Sequence, residues 1–355
     1  MSANSTGPRF GVWAIVHGGW ATANHPDDPF DASWKRNKNL IVEAEELGFD
    51  ATLVAQHTIN PSGDDYAELE AWTASAALAA LTERIEIIAA IKPYLYHPVV
   101  LAKQALQIDE ISNGRFAINL VNAWYKPELD RAGIGFAEHD ERYAYGREWL
   151  TIVRDLIAGR ETSFDGRWFD VSDYRLNPGP VGGRPPTIYL GGESEPARAL
   201  AADASDVWFI NGRPIEEVRD LIADVGGRPR GGDPLRFALS AFVIARETEE
   251  EAAAAEAELW EIVKKDASDL ERLLANADPK AEMFKTAARL PAIGTNGGTA
   301  AGLVGTYDQV AERIDAFHRE GIELFMLQFQ PFEPEMRRFA AEVLPRVRRS
   351  SALAA

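Results

Sequence analysis

The chain of 355 residues carries a net charge of −18, with 46% hydrophobic and 26% charged residues and no cysteine. That balance argues against nucleic acid and anionic membrane surfaces as partners, because phosphate-backbone recognition needs clustered Lys and Arg. It excludes disulfides, thiolate metal sites and cysteine nucleophiles.

Short apolar runs alternate with amphipathic ones. Phe10–Val16 reads as a strand ending at His17-Gly18-Gly19-Trp20, and Trp34–Leu47 has helical spacing, with Leu40, Ile41, Ala44 and Leu47 on one face and Gly48 as its stop. Asp50–Val54, Ile85–Ile91 and Arg115–Val121 follow as strands, separated by helices over Tyr66–Leu81 and His97–Ile108. Further strands are predicted at Thr187–Leu190, Val207–Ile210, Phe237–Ala245 and Leu324–Phe329, and helices at Pro196–Ala202, Ile215–Val225, Tyr307–Arg319 and Arg337–Arg348. Alternation of this kind implies parallel strands joined by right-handed crossovers. Eight units favour a closed (β/α)8 TIM-type barrel, which needs about 250 residues and tolerates insertions, so residues 1–355 are expected to form one domain. Two segments interrupt the pattern. Residues 162–174 (TSFDGRWFDVSDY) read as a β-hairpin turning at Asp165-Gly166. Residues 266–305 form a long lid loop after strand seven, with a Gly-rich portion at 292–302 (AIGTNGGTAAG). The acidic run Glu247 to Glu258 reads as a solvated helix face. No apolar run reaches the roughly 18 residues of a membrane span, and Met1–Arg9 does not read as a secretory signal, so a cytoplasmic protein is expected.

In a barrel of this kind the active site lies at the C-terminal ends of the strands. That rule selects His17 and Trp20, Gln56 and His57, Lys92, Asn122 and Trp124, Gly191 to Ser194, Asn211 to Arg213, and Gln328 to Gln330. This rim is rich in aromatics and amides and poor in carboxylates. The six histidines form no HExxH or HxH pairing, so no catalytic metal is expected. The rim suits a flat aromatic cofactor or substrate. Gly191-Gly192-Glu193-Ser194 joins an apolar strand to a helix, and is either a phosphate site at a helix N-terminus or a tight turn. His139 and Tyr143 are four apart on one helix face, and both can donate hydrogen bonds to a phosphate.

Three stretches together, NGRFAINLVNAWYKPEL, AEHDERYAYGREWL and IYLGGESEPARALAADASDVWFING, resemble the bacterial luciferase-like flavin monooxygenases, nearest the alkanesulfonate, methanesulfonate and dimethylsulfone monooxygenase branch. The resemblance runs from Phe10 to Leu344. It implies reduced FMN (FMNH2) as cofactor, a separate NAD(P)H:FMN reductase that supplies it, molecular oxygen, and a homodimer or homotetramer. By the same resemblance His139, Tyr143, Gly191, Gly192, Glu193 and Ser194 meet the FMN phosphate end. Asn122 contacts the flavin, and Gln56 and His57 flank its ring or the oxygen pocket. The segment around Asn296–Gly302 matches a mobile loop that closes over the site.

Compared with alkanesulfonate enzymes, Ser240 and Phe242 stand where an Arg and a His serve the sulfonate. Phe329 replaces a Tyr, Pro331 replaces a His, and the Cys after strand two is absent. His17 is retained, and its strand-end position and near-neutral ordinary pKa make it the candidate catalytic residue. Trp20, Trp124 and Phe329 are expected as substrate-pocket walls. Arg213, Arg236 and Lys92 remain as cations for an anionic substrate, and Arg115 is expected to be structural. The expected reaction is oxidation of a sulfonate or sulfone with C–S cleavage. The alternatives are an F420- or FMN-dependent oxidoreductase on the same fold and an oxygenase of a heterocycle.

Overall fold

The computed structural model describes residues 7–354. Eight parallel strands close into a barrel in chain order: β1 (Arg9–Trp13), β2 (Ala51–Val54), β3 (Glu86–Ile91), β4 (Phe116–Leu120), β5 (Thr187–Gly191), β6 (Val207–Ile210), β7 (Arg236–Phe242) and β8 (Ile322–Gln328). Closure pairs Phe10 of β1 with Phe325 of β8, while Gly11 faces Ala51 of β2. Nearly every strand residue is buried, as in EIIAAI of β3 and FAINL of β4. Helices cover the outer face of the sheet and side chains fill the interior, so these strands are apolar runs without alternation.

The predicted helix after β1 spans Trp34–Glu46 and buries Leu40, Ile41 and Ala44. The helix Pro98–Ser112 stops at Asn113, whose φ of 55° is left-handed, and Gly114 N–H donates to Asp109 O at 2.8 Å to close the end. This turn aims Arg115 back under the barrel. Its guanidinium donates to Ile85 O (2.7 Å), Thr82 O (2.7 Å), Ala79 O (3.1 Å) and Thr82 Oγ1 (3.0 Å). Arg115 is structural. Replacing it with Met is expected to lower stability by about 3 kcal/mol, because buried carbonyls lose a charged donor. Urea unfolding reads this directly, and a loss below about 1 kcal/mol would show the guanidinium to be dispensable.

Several regions differ in detail from the sequence pattern, and the helix expected over Tyr66–Leu81 begins only at Ala71. The apolar run 237–245 divides: β7 ends at Phe242, and Ile244–Arg246 leaves the barrel to pair in parallel with Val304–Thr306. Both halves are buried, so hydrophobicity carries no mark of the departure. The C-terminal helix begins earlier than expected, at Phe332, and runs through a π turn at Phe339–Val343. The insertion 266–305 holds two helices, Ala267–Asn276 and Glu282–Arg289. Its Gly-rich end is pinned to the barrel: Gly212 N–H donates to Asn296 O (2.8 Å), and Thr295 exchanges hydrogen bonds with the Gln328 amide (both 3.1 Å). The hairpin forms as expected, with Thr162–Asp165 antiparallel to Asp170–Tyr174. Among the described residues, no helix is long and apolar enough to cross a membrane.

Candidate functional site

A cavity of about 350 Å³ opens at the C-terminal ends of the strands, with the insertion contributing Leu273, Asp278, Ala281 to Phe284 and Gly294 to Gly297 to its wall. One end is an aromatic chamber. The Trp13 and Trp20 rings lie 4.9 Å apart, His17 meets Trp20 edge-on at 4.9 Å and His57 at 5.2 Å, and Trp124 lies 5.4 Å from both His57 and Phe284 of the insertion.

Beneath this chamber sits a buried charge cluster. His17 Nδ1 is 2.6 Å from Glu68 Oε2. Lys92 Nζ contacts Glu128 Oε2 and lies 2.8 Å from His57 Nδ1, which is itself 3.2 Å from the same carboxylate oxygen. The other Glu128 oxygen accepts from Thr58 N–H at 2.6 Å, and Gln56 Oε1 accepts from Lys92 N–H at 2.8 Å. Burial, then the neighbouring Lys92 charge, pushes the His57 ring down to about 3. Burial alone would raise Glu128, but the polar and charged groups packed around it, Lys92 among them, outweigh this and bring it down to about 2. Burial raises the Glu68 carboxyl, and its contact with His17 opposes the rise.

Both depressed values make the fold acid-sensitive. His57 is neutral when folded and binds a proton near 6.5 when unfolded, so the unfolded chain holds more protons between about 6.5 and 3. Stability is therefore full above that window and is lost as pH falls through it, and Glu128 acts in the same direction between its ordinary 4.5 and about 2. The slope expected from His57 approaches about 1.4 kcal/mol per pH unit. Urea titrations from neutral to mildly acidic pH should show it, and His57→Gln should flatten the upper part. An unchanged slope in that variant would remove His57 as the cause.

The opposite end gathers hydrogen-bond donors. The His139 and Tyr143 rings lie 4.9 Å apart on the helix His139–Ile157. Burial raises the Tyr143 phenol, which keeps it protonated beside Ser194. Gly192 has φ +113°, and a Cβ there would come within 3.0 Å of the Tyr143 hydroxyl, so this turn needs glycine on both counts. Ser194 stands at the N-cap of the helix Glu195–Ala204 without capping it, which leaves Oγ and the first helical N–H groups to the cavity. Between the two ends, Trp13 Nε1, Asn119 Oδ1, both polar side-chain atoms of Asn122 and Ser240 Oγ are buried without a hydrogen-bond partner among the described residues. All of them line the cavity. A Cβ on Gly146 would sit 2.2 Å from Asn122 Oδ1, so that glycine makes the space in which Asn122 stands.

The fold brings His17, Trp20, Gln56, His57, Asn122, Trp124, His139, Tyr143, Gly191, Gly192, Glu193 and Ser194 to this one cavity. Two expected substrate residues stand elsewhere. Phe329 is 1% exposed and packs on Phe332 and Phe339, with centroids 5.6 and 5.7 Å away, because its side chain alternates to the helix side of β8. Arg213 is buried against Glu193, whose carboxylate also accepts from Asn211 N–H at 2.9 Å. The arginine thus braces the Gly191–Ser194 turn from behind and is not free for an anionic substrate. Glu68, Glu128, Arg142 and Asp278 were not evident as site residues in the sequence. Glu128 follows Lys126-Pro127 at the start of a short helix (Lys126–Arg131), where an acidic residue reads as ordinary N-terminal helix chemistry.

Fold and site together define a TIM-barrel enzyme whose cavity joins a phosphate-type cradle to an aromatic, histidine-bearing chamber. The chain belongs to the luciferase-like monooxygenase family, whose sequence profile matches residues 9–324. It is similar to the FMNH2-dependent dimethylsulfone monooxygenase of Pseudomonas fluorescens (strain Pf0-1), with 32% identity over 352 residues, covering 98% of this chain and 96% of that protein. It is similar also to the FMNH2-dependent dimethylsulfone monooxygenase of Pseudomonas putida, with 35% identity over 332 residues and coverage of 88% and 87%. Among solved structures, the EDTA monooxygenase EmoA from Chelativorans sp. BNC1 shares the fold, with a TM-score of 0.78 at 20% identity over 97% of this chain and 94% of that one.

Proposed function

We propose that this chain is the oxygenase of a two-component system: it accepts FMN reduced by a separate NAD(P)H:FMN reductase and uses oxygen to oxidise a small neutral sulfone. The cavity residues fit the cofactor. His139, Tyr143, Ser194 and the Gly191–Ser194 backbone would hold its phosphate, and the unpartnered amide atoms of Asn119 and Asn122 would meet the polar edge of its ring. Bound in reduced form, FMN supplies the two electrons that activate oxygen. The protein's part is to orient the reactants and keep water out, which Trp13, Trp20, Trp124 and Phe284 of the insertion do by walling the chamber with aromatic surface. His17, held by Glu68 through Nδ1, is placed to hold or return a proton at Nε2. In the overall balance one oxygen atom enters the carbon beside sulfur, the other leaves as water, and the C–S bond breaks to a sulfinate and an aldehyde.

The observation that carries the choice of a neutral substrate is electrostatic. Lys92 and Arg142, the lysine and arginine among the described cavity-lining residues, are each paired with a buried carboxylate, Glu128 and Asp278. A sulfonate entering this chamber would lose its hydration without gaining a counter-charge. The dimethylsulfone monooxygenase relatives support the same choice. The test is oxygen consumption and aldehyde release by the pure chain with a flavin reductase and NADH. Dimethylsulfone should exceed methanesulfonate in kcat/KM by at least about tenfold, the equivalent of 1.4 kcal/mol. Preference for the sulfonate would refute the neutral-substrate reading.

A further inference from the structure

Lys92 and Glu128 are both buried in the cavity floor, and neither has a part in the reaction as described above. Their geometry dictates the state of His57. Burial pushes the Lys92 ammonium down, and the Glu128 carboxylate in contact with it opposes the loss of its proton. Held as an ammonium against that carboxylate, Lys92 only donates. Lys92 Nζ lies 2.8 Å from His57 Nδ1, so Nδ1 must be the acceptor, without a proton. Glu128 is held by Thr58 N–H, and the Lys92 backbone N–H donates to the Gln56 side chain next to His57. A neutral ring whose Nδ1 is bare carries its proton on Nε2, which has no protein partner among the described residues. His17 is the reverse case. Its Nδ1 faces the Glu68 carboxylate at 2.6 Å and must donate, leaving Nε2 with a lone pair.

We propose that the Lys92–Glu128 pair is a positioning device that locks His57 as the neutral Nε2–H tautomer. The cavity thereby presents a fixed uncharged hydrogen-bond donor at His57 beside a proton acceptor at His17, with ring centroids 5.2 Å apart. An N–H donor without net charge matches a neutral S=O oxygen, and in that sense the inference deepens and rests on the sulfone reading. The tautomer itself does not depend on it. The titratable groups facing His57 are Lys92 from the end of β3, Glu128 from the helix after β4, His17 from the end of β1 with Glu68 behind it, and Tyr125, whose ring is 6.0 Å away. The depressed basicity of His57 agrees with a ring held neutral by burial and by a neighbouring cation.

The test is long-range ¹H–¹⁵N spectroscopy of the full chain with ¹⁵N-histidine, without cofactor. His57 should show a protonated Nε2 and a bare Nδ1, unchanged from about pH 8 to about pH 5.5, where an ordinary histidine titrates. In Lys92→Met the ring should flip to Nδ1–H against Glu128 and titrate near or above neutrality. Lys92→Arg, which keeps a charged donor, should retain the native tautomer. Turnover of Lys92→Met should fall by about tenfold or more, while FMN affinity stays within about twofold. If Lys92→Met does not fold, the native spectrum alone decides. A His57 carrying Nδ1–H, or titrating near pH 6.5, overturns the proposal. A native spectrum as expected, with no sulfone turned over, would instead overturn the substrate reading and leave the lock standing.

Discussion

Replacing Arg142 with Met is expected to cost about 3–5 kcal/mol of stability, the range for breaking a buried ion pair from one side. Arg142 is 2% exposed and satisfied at every arm. Nε donates to Asn122 O at 3.1 Å and Nη1 to Ala137 O at 2.7 Å, Nη2 pairs with Asp278, and the guanidinium lies 4.0 Å over the Phe136 ring. Asp278 belongs to the insertion, and its own N–H donates to Trp124 O at 2.8 Å. One side chain thus ties the end of β4, the helix bearing His139 and Tyr143, and the cover of the cavity into a single unit. The variant leaves the buried Asp278 carboxylate without its counter-charge and with only the Lys280 N–H (2.9 Å) donating to it, so the destabilisation should come with a loss of FMN affinity. Asp278→Asn should be milder, because an amide carbonyl still accepts from the guanidinium. Urea unfolding and flavin fluorescence quenching measure the two effects. A stability loss below about 1 kcal/mol in Arg142→Met would show that the insertion is held by other contacts.

The same residues show what was legible in the sequence. The barrel was, because eight apolar runs with helical spacing between them admit few topologies. The positions of the site residues followed from one rule, that chemistry gathers at strand C-termini, and twelve of the expected residues line one cavity. Arg142 and Asp278 were not legible as a pair. They lie 136 residues apart, and an arginine inside HDERY or an aspartate before a proline has the local look of surface chemistry. The Gly-rich run 292–302 has a role that composition alone does not resolve. Glycine marks both free loops and places where backbone must touch backbone. Here a Cβ on Gly297 would lie 2.0 Å from Gly212 O, so the glycines serve contact. Phe329 failed on alternation: next to the strand end, one residue of offset moves a side chain from the barrel mouth to the helix layer.

Charge shows the same limit. A net charge of −18 describes the whole chain, while the floor of the cavity is an interlocked set of Lys92, Glu128, His57, His17 and Glu68. Sequence places Lys92 at a strand end and so offers it as a ligand for an anion. Only packing reveals that Glu128 is paired with it, which removes Lys92 as a free counter-charge for an anion.

His17→Ala should lower turnover by about 10²–10³-fold, the span typical of losing a positioned general acid or base, while FMN affinity stays within about twofold. The split follows from the architecture. His17 stands at the end of β1, among Trp20, His57 and Glu68, whereas His139, Tyr143 and Gly191 to Ser194, proposed above to hold the phosphate, are set by β4 and β5 across the barrel. Glu68→Gln separates two ways in which His17 acts. The amide oxygen still accepts from Nδ1–H and keeps the ring in place, but it no longer stabilises a protonated ring. An effect between wild type and His17→Ala is therefore expected if His17 carries a proton during turnover. If Glu68→Gln is silent while His17→Ala is not, the histidine only orients the substrate. An unchanged kcat in His17→Ala would move proton handling to another group of the chamber.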